Sequence, residues 1–341
     1  MPFLCCALFL QPANVLRAYQ INLFVPMTSR TQAEASFGRA QLLGYAALCL
    51  IWGSTWLAIR LVVRDVPPFL AAALRFLAAG ALLLVTALIQ KRRRPAGQQQ
   101  WNAILVLSLS IMAVPYGLLF WAEQHVSSSL TAILYSAMPL AVALVTPMMS
   151  HSKVPRRAIF AMLIAFGGLL SLFLQPDLIN SRRALFGGIA VLGAMSLSAW
   201  SVVYAKKRLH DVDSVVSTGL QLLFGSVVLL WATWAMEAHR HAVWTKTAVV
   251  AMAFLTIFGS AAAFVIYYWL LKKMQPYQLS TISLIVPIIA LLEGFLAGER
   301  VPLMLVFTVV VVLGSVWSVL RAEVEKEPEG EDILMLQDKA Q

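Results

Sequence analysis

The segment from Gln41 to Val62 reads QLLGYAALCLIWGSTWLAIRLV, and Arg60 is its one charged residue. A helix needs about 20 apolar residues to cross the hydrocarbon core of a bilayer. Lipid offers no hydrogen-bond partner to the backbone, so a crossing segment of this kind has to be helical. This stretch is therefore predicted to be the first transmembrane helix of the chain.

The rest of the chain follows the same pattern. Hydrophobic residues make up 60% of its 341 residues and charged residues 12%, whereas soluble domains carry about 25% charged residues. So little charge argues against a soluble enzyme, a disordered chain and a secreted disulfide scaffold. The connections are too short to hold a soluble domain, so we predict an all-α polytopic membrane protein with ten spans. The predicted spans are 41–62, 68–90, 102–121, 127–149, 157–175, 185–205, 214–236, 248–271, 276–297 and 302–320.

The net charge of +10 fits the basic excess of cytoplasmic loops. With the N-terminus inside, the cytoplasmic segments hold eighteen lysines and arginines and the opposite side holds six. This bias predicts that both termini are cytoplasmic, and it removes the need for a nucleic-acid partner.

The two ends of the chain differ from the spans. Residues 1–40 are predicted to be a cytoplasmic extension. Met27 is an alternative start, because a polar segment begins there, and the rival interpretation is a genuine interfacial extension. Residues 321–341 are acidic and polar, which predicts a disordered cytoplasmic tail.

A weak internal repeat runs through the spans. Similar residues recur in the same order at offsets between 144 and 148, which suggests two five-span halves at 41–175 and 185–320. An odd number of spans inverts the second half relative to the first, as in many secondary transporters. A chance alignment of apolar helices is the alternative. The matching pairs are Gly44 with Gly188, Ser54 with Ser198, Trp56 with Trp200, Arg75 with Gln221, Trp121 with Trp269 and Pro139 with Pro287.

Several short motifs occur in a characteristic order. They are Trp52-Gly53-Ser54-Thr55-Trp56, Arg75-Phe76, Leu130-Thr131-Ala132 followed by Pro139, and Gly298-Glu299-Arg300. In this order the chain resembles the EamA-type ten-span transporters of the drug/metabolite transporter superfamily. The family often has a Gly-Glu-Arg-like turn after the fourth span as well, where this chain has Ser150-His151-Ser152. The resemblance implies export of small metabolites, amino acids or drugs across a bacterial inner membrane.

Ionisable residues are expensive inside a bilayer and point to function. Arg75 is the first candidate for substrate binding, because its guanidinium can hold a carboxylate or phosphate with two hydrogen bonds. It could instead be a structural partner for backbone carbonyls or for Glu293. Glu293 is the candidate for proton coupling, with a counter-ion of Arg75 or a residue facing a water-filled vestibule as alternatives.

The other candidate substrate-binding residues are aromatic or hydroxyl-bearing. Aromatic rings could stack on a flat or cationic substrate, or could simply pack between helices. Hydroxyl groups could face a cavity or bond back to their own helix. These candidates are Trp52, Ser54, Thr55, Trp56, Tyr116, Trp121, Tyr135, Trp200 and Tyr204.

Three prolines fall inside predicted spans, namely Pro115, Pro139 and Pro287. Each removes a backbone donor and can bend its helix, so they are candidate gating hinges or else fixed kinks.

Together these features predict an efflux permease that works by alternating access with a small-molecule substrate, and with protons as a candidate coupling ion. An exchanger or uptake carrier of nucleotide-sugar type, or a channel, is the alternative. No cofactor, metal site or enzymatic activity is predicted.

Overall fold

The computed structural model describes residues 38–126, 128–150, 152–173, 182–296 and 304–322. In this part of the chain, twelve helices form ten consecutive segments, and each segment overlaps one predicted span. The helices are α1 (Arg39–Val63), α2 (Pro68–Ile89), α3 (Gln98–Ala122), α4 (Ser128–Ser136), α5 (Met138–Ser150), α6 (Arg156–Phe173), α7 (Arg182–Arg208), α8 (Ser214–Glu237), α9 (Lys246–Lys273), α10 (Pro276–Ser280), α11 (Ile282–Leu296) and α12 (Met304–Arg321).

The helices are suited to a bilayer. Six of those described are long and apolar enough to cross a membrane, namely α1, α2, α3, α7, α8 and α9, and further apolar helices are shorter. Large apolar side chains such as Leu43, Ile89 and Trp234 are more than 70% exposed on the outer surface of the bundle. That exposure suits lipid and would be costly in water. The prediction of an all-α polytopic membrane protein is confirmed.

The same irregularities occur in both halves of the bundle. The third segment, α3, contains a π-helical turn at Ser108–Ala113, and the eighth segment, α9, contains one at Leu255–Ala262. The fourth segment is broken between α4 and α5, and the ninth is broken between α10 and α11. Because both the π-helical turn and the helix break recur five segments later, the two halves are copies of one structural unit.

The two halves run in opposite directions. Arg92, which follows α2, forms a 2.9 Å ion pair with Asp213, the residue before α8. At the other end of the pair, the N–H groups of Phe69 and Leu70 donate to the carboxylate of Glu237 over 3.2 and 3.1 Å. The beginning of each helix therefore lies beside the end of the other. Since α2 and α8 are the second segments of their halves, their antiparallel packing indicates that the repeats are inverted.

Small residues allow this close contact. A Cβ atom at Gly80 of α2 would lie 3.0 Å from the carbonyl oxygen of Gly219 of α8, so the two backbones nearly touch. Such contacts between small residues are a common means of helix association in membranes. The α6 and α12 helices, which are the fifth segments of the two halves, also pack against each other.

Some sequence predictions lie outside the described residues. These are most of the N-terminal extension 1–40 including Met27, the tail from residue 323 onward, and the Gly298-Glu299-Arg300 motif.

Candidate functional site

A cavity of about 120 Å³ lies in the interior of the bundle. It is lined by residues of α1, α2, α3, α4, α5, α7, α9, α10 and α11, so both halves of the chain contribute. A buried water needs roughly 10–15 Å³ of such space, so the cavity has room for a small molecule. It borders both broken segments, through Tyr135 and Met138 at one break and Ser280 and Ile282 at the other.

Arg75 is the basic residue among the side chains that line this cavity. It projects from α2 and is 1% exposed, although it is surrounded by apolar helices. Its Nε donates a 2.6 Å hydrogen bond to Oγ of Ser260, and its Nη2 donates a 3.0 Å bond to the carbonyl oxygen of Gly259. Within the described residues, its Nη1 is buried without a hydrogen-bond partner. Arg75 thus contacts a backbone carbonyl and also keeps one donor nitrogen uncommitted.

Aromatic rings surround the guanidinium. The Arg75 Cζ atom lies 5.5 Å from the ring centroids of both Phe76 and Tyr116, a distance at which a cation and a ring attract each other. The Tyr116 ring packs edge-on against Phe264 with a centroid separation of 5.9 Å, and Phe264 packs in the same way on Trp52 at 5.8 Å. The rings of Trp52, Tyr116 and Phe264 form one continuous wall of the cavity.

Trp52 supplies a second uncommitted donor. Its indole Nε1 is buried and has no hydrogen-bond partner among the described residues. A buried donor left without a partner costs about 1–3 kcal/mol. Two such donors on one cavity, Trp52 Nε1 and Arg75 Nη1, indicate a site whose hydrogen bonds are completed by a bound molecule or water.

Half of the predicted site residues meet at this cavity. Trp52, Thr55 and Trp56 approach from α1, and the hydroxyl of Thr55 bonds back to the carbonyl of Trp52 over 2.7 Å. The full set of predicted residues that line it is Trp52, Thr55, Trp56, Arg75, Tyr116, Tyr135 and Pro287.

The remaining predicted residues lie elsewhere. Ser54 donates its hydroxyl to the carbonyl of Leu50 in its own helix. Trp121 packs on His125 with centroids 4.3 Å apart, and Trp200 stacks on Tyr204 at 4.9 Å. Repeat partners therefore occupy different environments: Trp56 lines the cavity, but its partner Trp200 does not.

The three prolines lie at or near the helix irregularities. Pro115 follows the π-helical turn of α3 by two residues, Pro139 is the second residue of α5, and Pro287 lies inside α11. Of the three, Pro287 lines the cavity. Glu293 is in the same helix as Pro287, and its side chain lies outside the described residues.

Several cavity residues are not among those predicted from the sequence, namely Glu123, Ser198, Phe264, Tyr267, Ser280 and Ser283. The repeat contained a signal for one of them, because Ser198 is the partner of the candidate Ser54. The structure differs from this prediction: Ser198 lines the cavity and is hydrogen-bonded to Tyr135, whereas Ser54 does not line it. Phe264 and Tyr267 had no distinguishing signal within an apolar run.

This arrangement suits a small molecule that combines an anionic group with an apolar or aromatic body. Arg75 would hold the anion, because guanidinium groups bind carboxylate and phosphate well. The rings of Trp52, Tyr116 and Phe264 would contact the apolar part. The hydroxyl groups of Ser280 and Ser283 add polar contacts at the broken ninth segment.

Comparisons with known proteins agree with this architecture. The profile of the EamA-like transporter family matches the chain twice, at residues 40–174 and 185–321. The chain is 28% identical over 258 residues to the uncharacterized transporter YoaV of Bacillus subtilis (strain 168), covering 75% of this chain and 87% of that protein. It is 29% identical over 255 residues to the uncharacterized inner membrane transporter YedA of Escherichia coli (strain K12), covering 74% and 81%.

A further relative is the protein PagO of Salmonella typhimurium, with 26% identity over 260 residues that cover 75% of this chain and 85% of PagO. One crystal structure superposes on this chain with a TM-score of 0.69 and 20% sequence identity, covering 82% of this chain and 95% of that one. This likeness shows a shared fold. Two family matches, the repeated irregularities and the multi-pass helical bundle lead to one conclusion: the chain belongs to the EamA-like transporter family of the drug/metabolite transporter superfamily.

Proposed function

We propose that this transporter is a secondary carrier that exports a small metabolite, amino acid or drug bearing an anionic group across the bacterial inner membrane. One observation carries the proposal: Arg75 lines a cavity shared by both halves, and its buried Nη1 has no protein partner among the described residues. An unsatisfied guanidinium nitrogen buried inside a membrane-spanning bundle is costly. A substrate carboxylate or phosphate would satisfy it.

Alternating access is the proposed mechanism. Inverted repeats can exchange conformations, so that a central site opens first to one side and then to the other. The π-helical turns of α3 and α9 and the breaks near Pro139 and Pro287 are where segments beside the cavity depart from regular helix. With Pro115, these two prolines are the proposed hinges, since proline lacks the donor that would stiffen the helix.

Glu293 is the proposed proton-coupling residue. It lies in α11, six residues after the cavity residue Pro287. If it carries the proton, then a pH gradient should accelerate transport in the wild-type protein and have no effect on Glu293→Gln. Equal stimulation of both proteins would remove Glu293 from the mechanism.

The cytoplasmic location of both termini remains part of the proposal and rests on the distribution of basic residues. Fusion of a periplasm-active reporter to the C-terminus should give no activity in cells, whereas a cytoplasm-active reporter should be active.

Reconstitution tests the transport proposal. The purified full-length protein in proteoliposomes would be assayed for uptake, efflux and counterflow with a panel of carboxylates, phosphates, neutral compounds and cations. We expect saturable flux and counterflow for a compound with an anionic group. Arg75→Ala should reduce that flux about 10- to 100-fold, because a hydrogen bond to a charged group contributes about 1.5–3 kcal/mol.

Arg60→Ala is the matched control. Arg60 lies near the end of α1, is exposed, and does not line the cavity, so this variant should transport like the wild type. Equal flux in Arg75→Ala and wild type for every compound would remove the proposed site. Flux that rises linearly with concentration and lacks counterflow would indicate a channel in place of a carrier.

A further inference from the structure

The π-helical turn of α9 holds the guanidinium of Arg75. Both acceptors of Arg75, the carbonyl of Gly259 and the hydroxyl of Ser260, lie within the turn Leu255–Ala262. In a π-helix the hydrogen bonds span five residues, and such turns occur frequently at functional sites. Gly259 also lets α9 approach, since a Cβ atom there would lie 2.9 Å from Thr55 and 3.2 Å from Arg75 Nη2.

The contact between Arg75 and Ser260 is fully buried. Arg75 is 1% exposed and Ser260 is 0% exposed. A guanidinium group is planar and rigid. When Nε is bound to Ser260 and Nη2 to Gly259, the direction of the third nitrogen, Nη1, is therefore determined. Ser260 thus controls the orientation of Nη1, the nitrogen of Arg75 that has no hydrogen-bond partner among the described residues.

The equivalent turn in the other half is held by neutral groups. There, Oγ of Ser201 in α7 donates to the carbonyl oxygen of Ser110 over 2.9 Å, with Ser110 Oγ 2.8 Å away. Gln221, the repeat partner of Arg75, accepts a 2.6 Å hydrogen bond from Tyr268. Neither Ser201 nor Gln221 lines the cavity. Since neutral contacts suffice to hold a π-helical turn in α3, the charged contact in α9 calls for another explanation.

We propose that Ser260 is a positioning residue that gives the cavity its selectivity for an anionic group, by holding Arg75 so that Nη1 meets a carboxylate or phosphate oxygen. The proposal rests on the proposed role of Arg75 in substrate binding. Without the Ser260 hydroxyl, the guanidinium loses the acceptor of Nε and keeps the single bond from Nη2 to the Gly259 carbonyl, which leaves the direction of Nη1 less restricted. Its attraction for an anion then weakens, while the aromatic wall is unchanged.

The test compares two probes of nearly the same shape, benzoate, which is an anion, and benzamide, which is neutral and carries an NH2 donor in place of one carboxylate oxygen. Both are bound to the full-length protein in nanodiscs at neutral pH, and the readout is the ratio of the benzamide Kd to the benzoate Kd. The wild type should bind benzoate at least tenfold more tightly, and Arg75→Ala should lower the ratio to about one. Ser260→Ala should lower the ratio at least threefold, and Ser260→Thr, which keeps the hydroxyl, should restore it.

Ser201→Ala is the matched control, because it removes the corresponding hydroxyl beside the α3 turn. It should leave the ratio at the wild-type value even if the protein melts at a lower temperature. If Ser260→Ala does not fold, Ser260→Cys keeps the side-chain volume with a weaker acceptor and gives the same comparison.

The outcomes separate the two proposals. If Arg75→Ala loses the benzoate preference while Ser260→Ala and Ser260→Cys keep it, then Ser260 has no positioning role and the proposed function stands. If the wild type shows no benzoate preference, or Arg75→Ala retains it, then Arg75 is not an anion-binding residue and both proposals fail. An equal loss of preference in Ser260→Ala and Ser201→Ala would assign Ser260 a purely structural role.

Discussion

Nη1 of Arg92 lies 2.9 Å from Oδ2 of Asp213, so that an ion pair joins the end of α2 to the beginning of α8. The other carboxylate oxygen of Asp213 accepts hydrogen bonds from the N–H groups of Val215 and Val216 over 2.8 and 3.2 Å, which caps α8. One carboxylate therefore both begins a helix and connects it to its repeat partner.

Replacement of Asp213 should separate these two roles. Asp213→Ala removes both the cap and the ion pair and should lower the free energy of unfolding by about 0.5–2 kcal/mol. Asp213→Asn keeps a good capping side chain and should cost less. Thermal unfolding in detergent measures both. Asp211→Ala is the control, since Asp211 is exposed and pairs with the exposed His210; an equal loss in this variant would contradict the capping role.

The same carboxylate predicts a pH dependence. Burial raises the pKa of Asp213, but the N–H groups of Val216 and Val215 and the Arg92 guanidinium outweigh it, and the net pKa is below the ordinary value. The stabilisation is therefore fully present above the ordinary carboxyl pKa of about 3.9 and is lost as the pH falls toward the lower pKa of the folded protein.

This loss is measured by comparing the free energy of unfolding of the wild type with that of Asp213→Asn from about pH 7 down to about pH 3. The wild type should lose its advantage over the variant as the solution is acidified. A difference that stays constant over this range would show that the ionised carboxylate contributes nothing to stability.

Gly259 allows α9 to contact both α1 and Arg75. A Cβ atom there would come within 2.9 Å of Cγ2 of Thr55, which is closer than real contacts allow. Gly259→Ala should therefore destabilise the protein by about 1–3 kcal/mol and weaken binding of anionic compounds. Gly193→Ala, at a helical site with nothing within 4 Å of the new methyl group, should instead stabilise by about 0.5–1 kcal/mol. Effects of the same sign in both variants would refute the steric argument.

Lys206 binds the end of α9. Its ammonium donates to the carbonyl oxygens of Leu271, Lys272 and Met274 over 2.7, 3.0 and 3.0 Å, where a helix has unpaired carbonyls and partial negative charge. Lys206→Met should lower the free energy of unfolding by about 1.5–3 kcal/mol.

Lys273→Met is the control for this variant. Lys273 is exposed, and its ammonium lies 4.6 Å from the Trp269 ring. Such an exposed contact contributes about 0.5–1 kcal/mol, so the loss should be smaller than in Lys206→Met. A greater loss in Lys273→Met would mean that the bonds from Lys206 to α9 do not stabilise the fold.

The amino-acid sequence by itself determined the ten helical segments and the two repeats. Its apolar runs leave no alternative to helix in lipid, and Pro139 predicted an irregular helix where α5 begins. It also singled out Arg75, because this arginine lies inside the second predicted span and away from its ends, whereas Arg60 lies near the end of the first. The π-helical turn that binds Arg75 carries no comparable signal, since Leu255–Ala262 reads as an ordinary apolar helix.

The tertiary structure decided which side chains face the cavity. Trp56 and Trp200 are repeat partners of the same type, yet Trp56 lines the cavity and Trp200 stacks on Tyr204. Ser54 and Ser198 differ in the same way. Hydropathy shows that a segment crosses the membrane, but in a nearly all-apolar helix it does not show which side faces inward. The rotation of each helix about its own axis decides which side faces inward. It is set by contacts between helices distant in sequence, such as those that join Arg75 to Gly259 and Ser260.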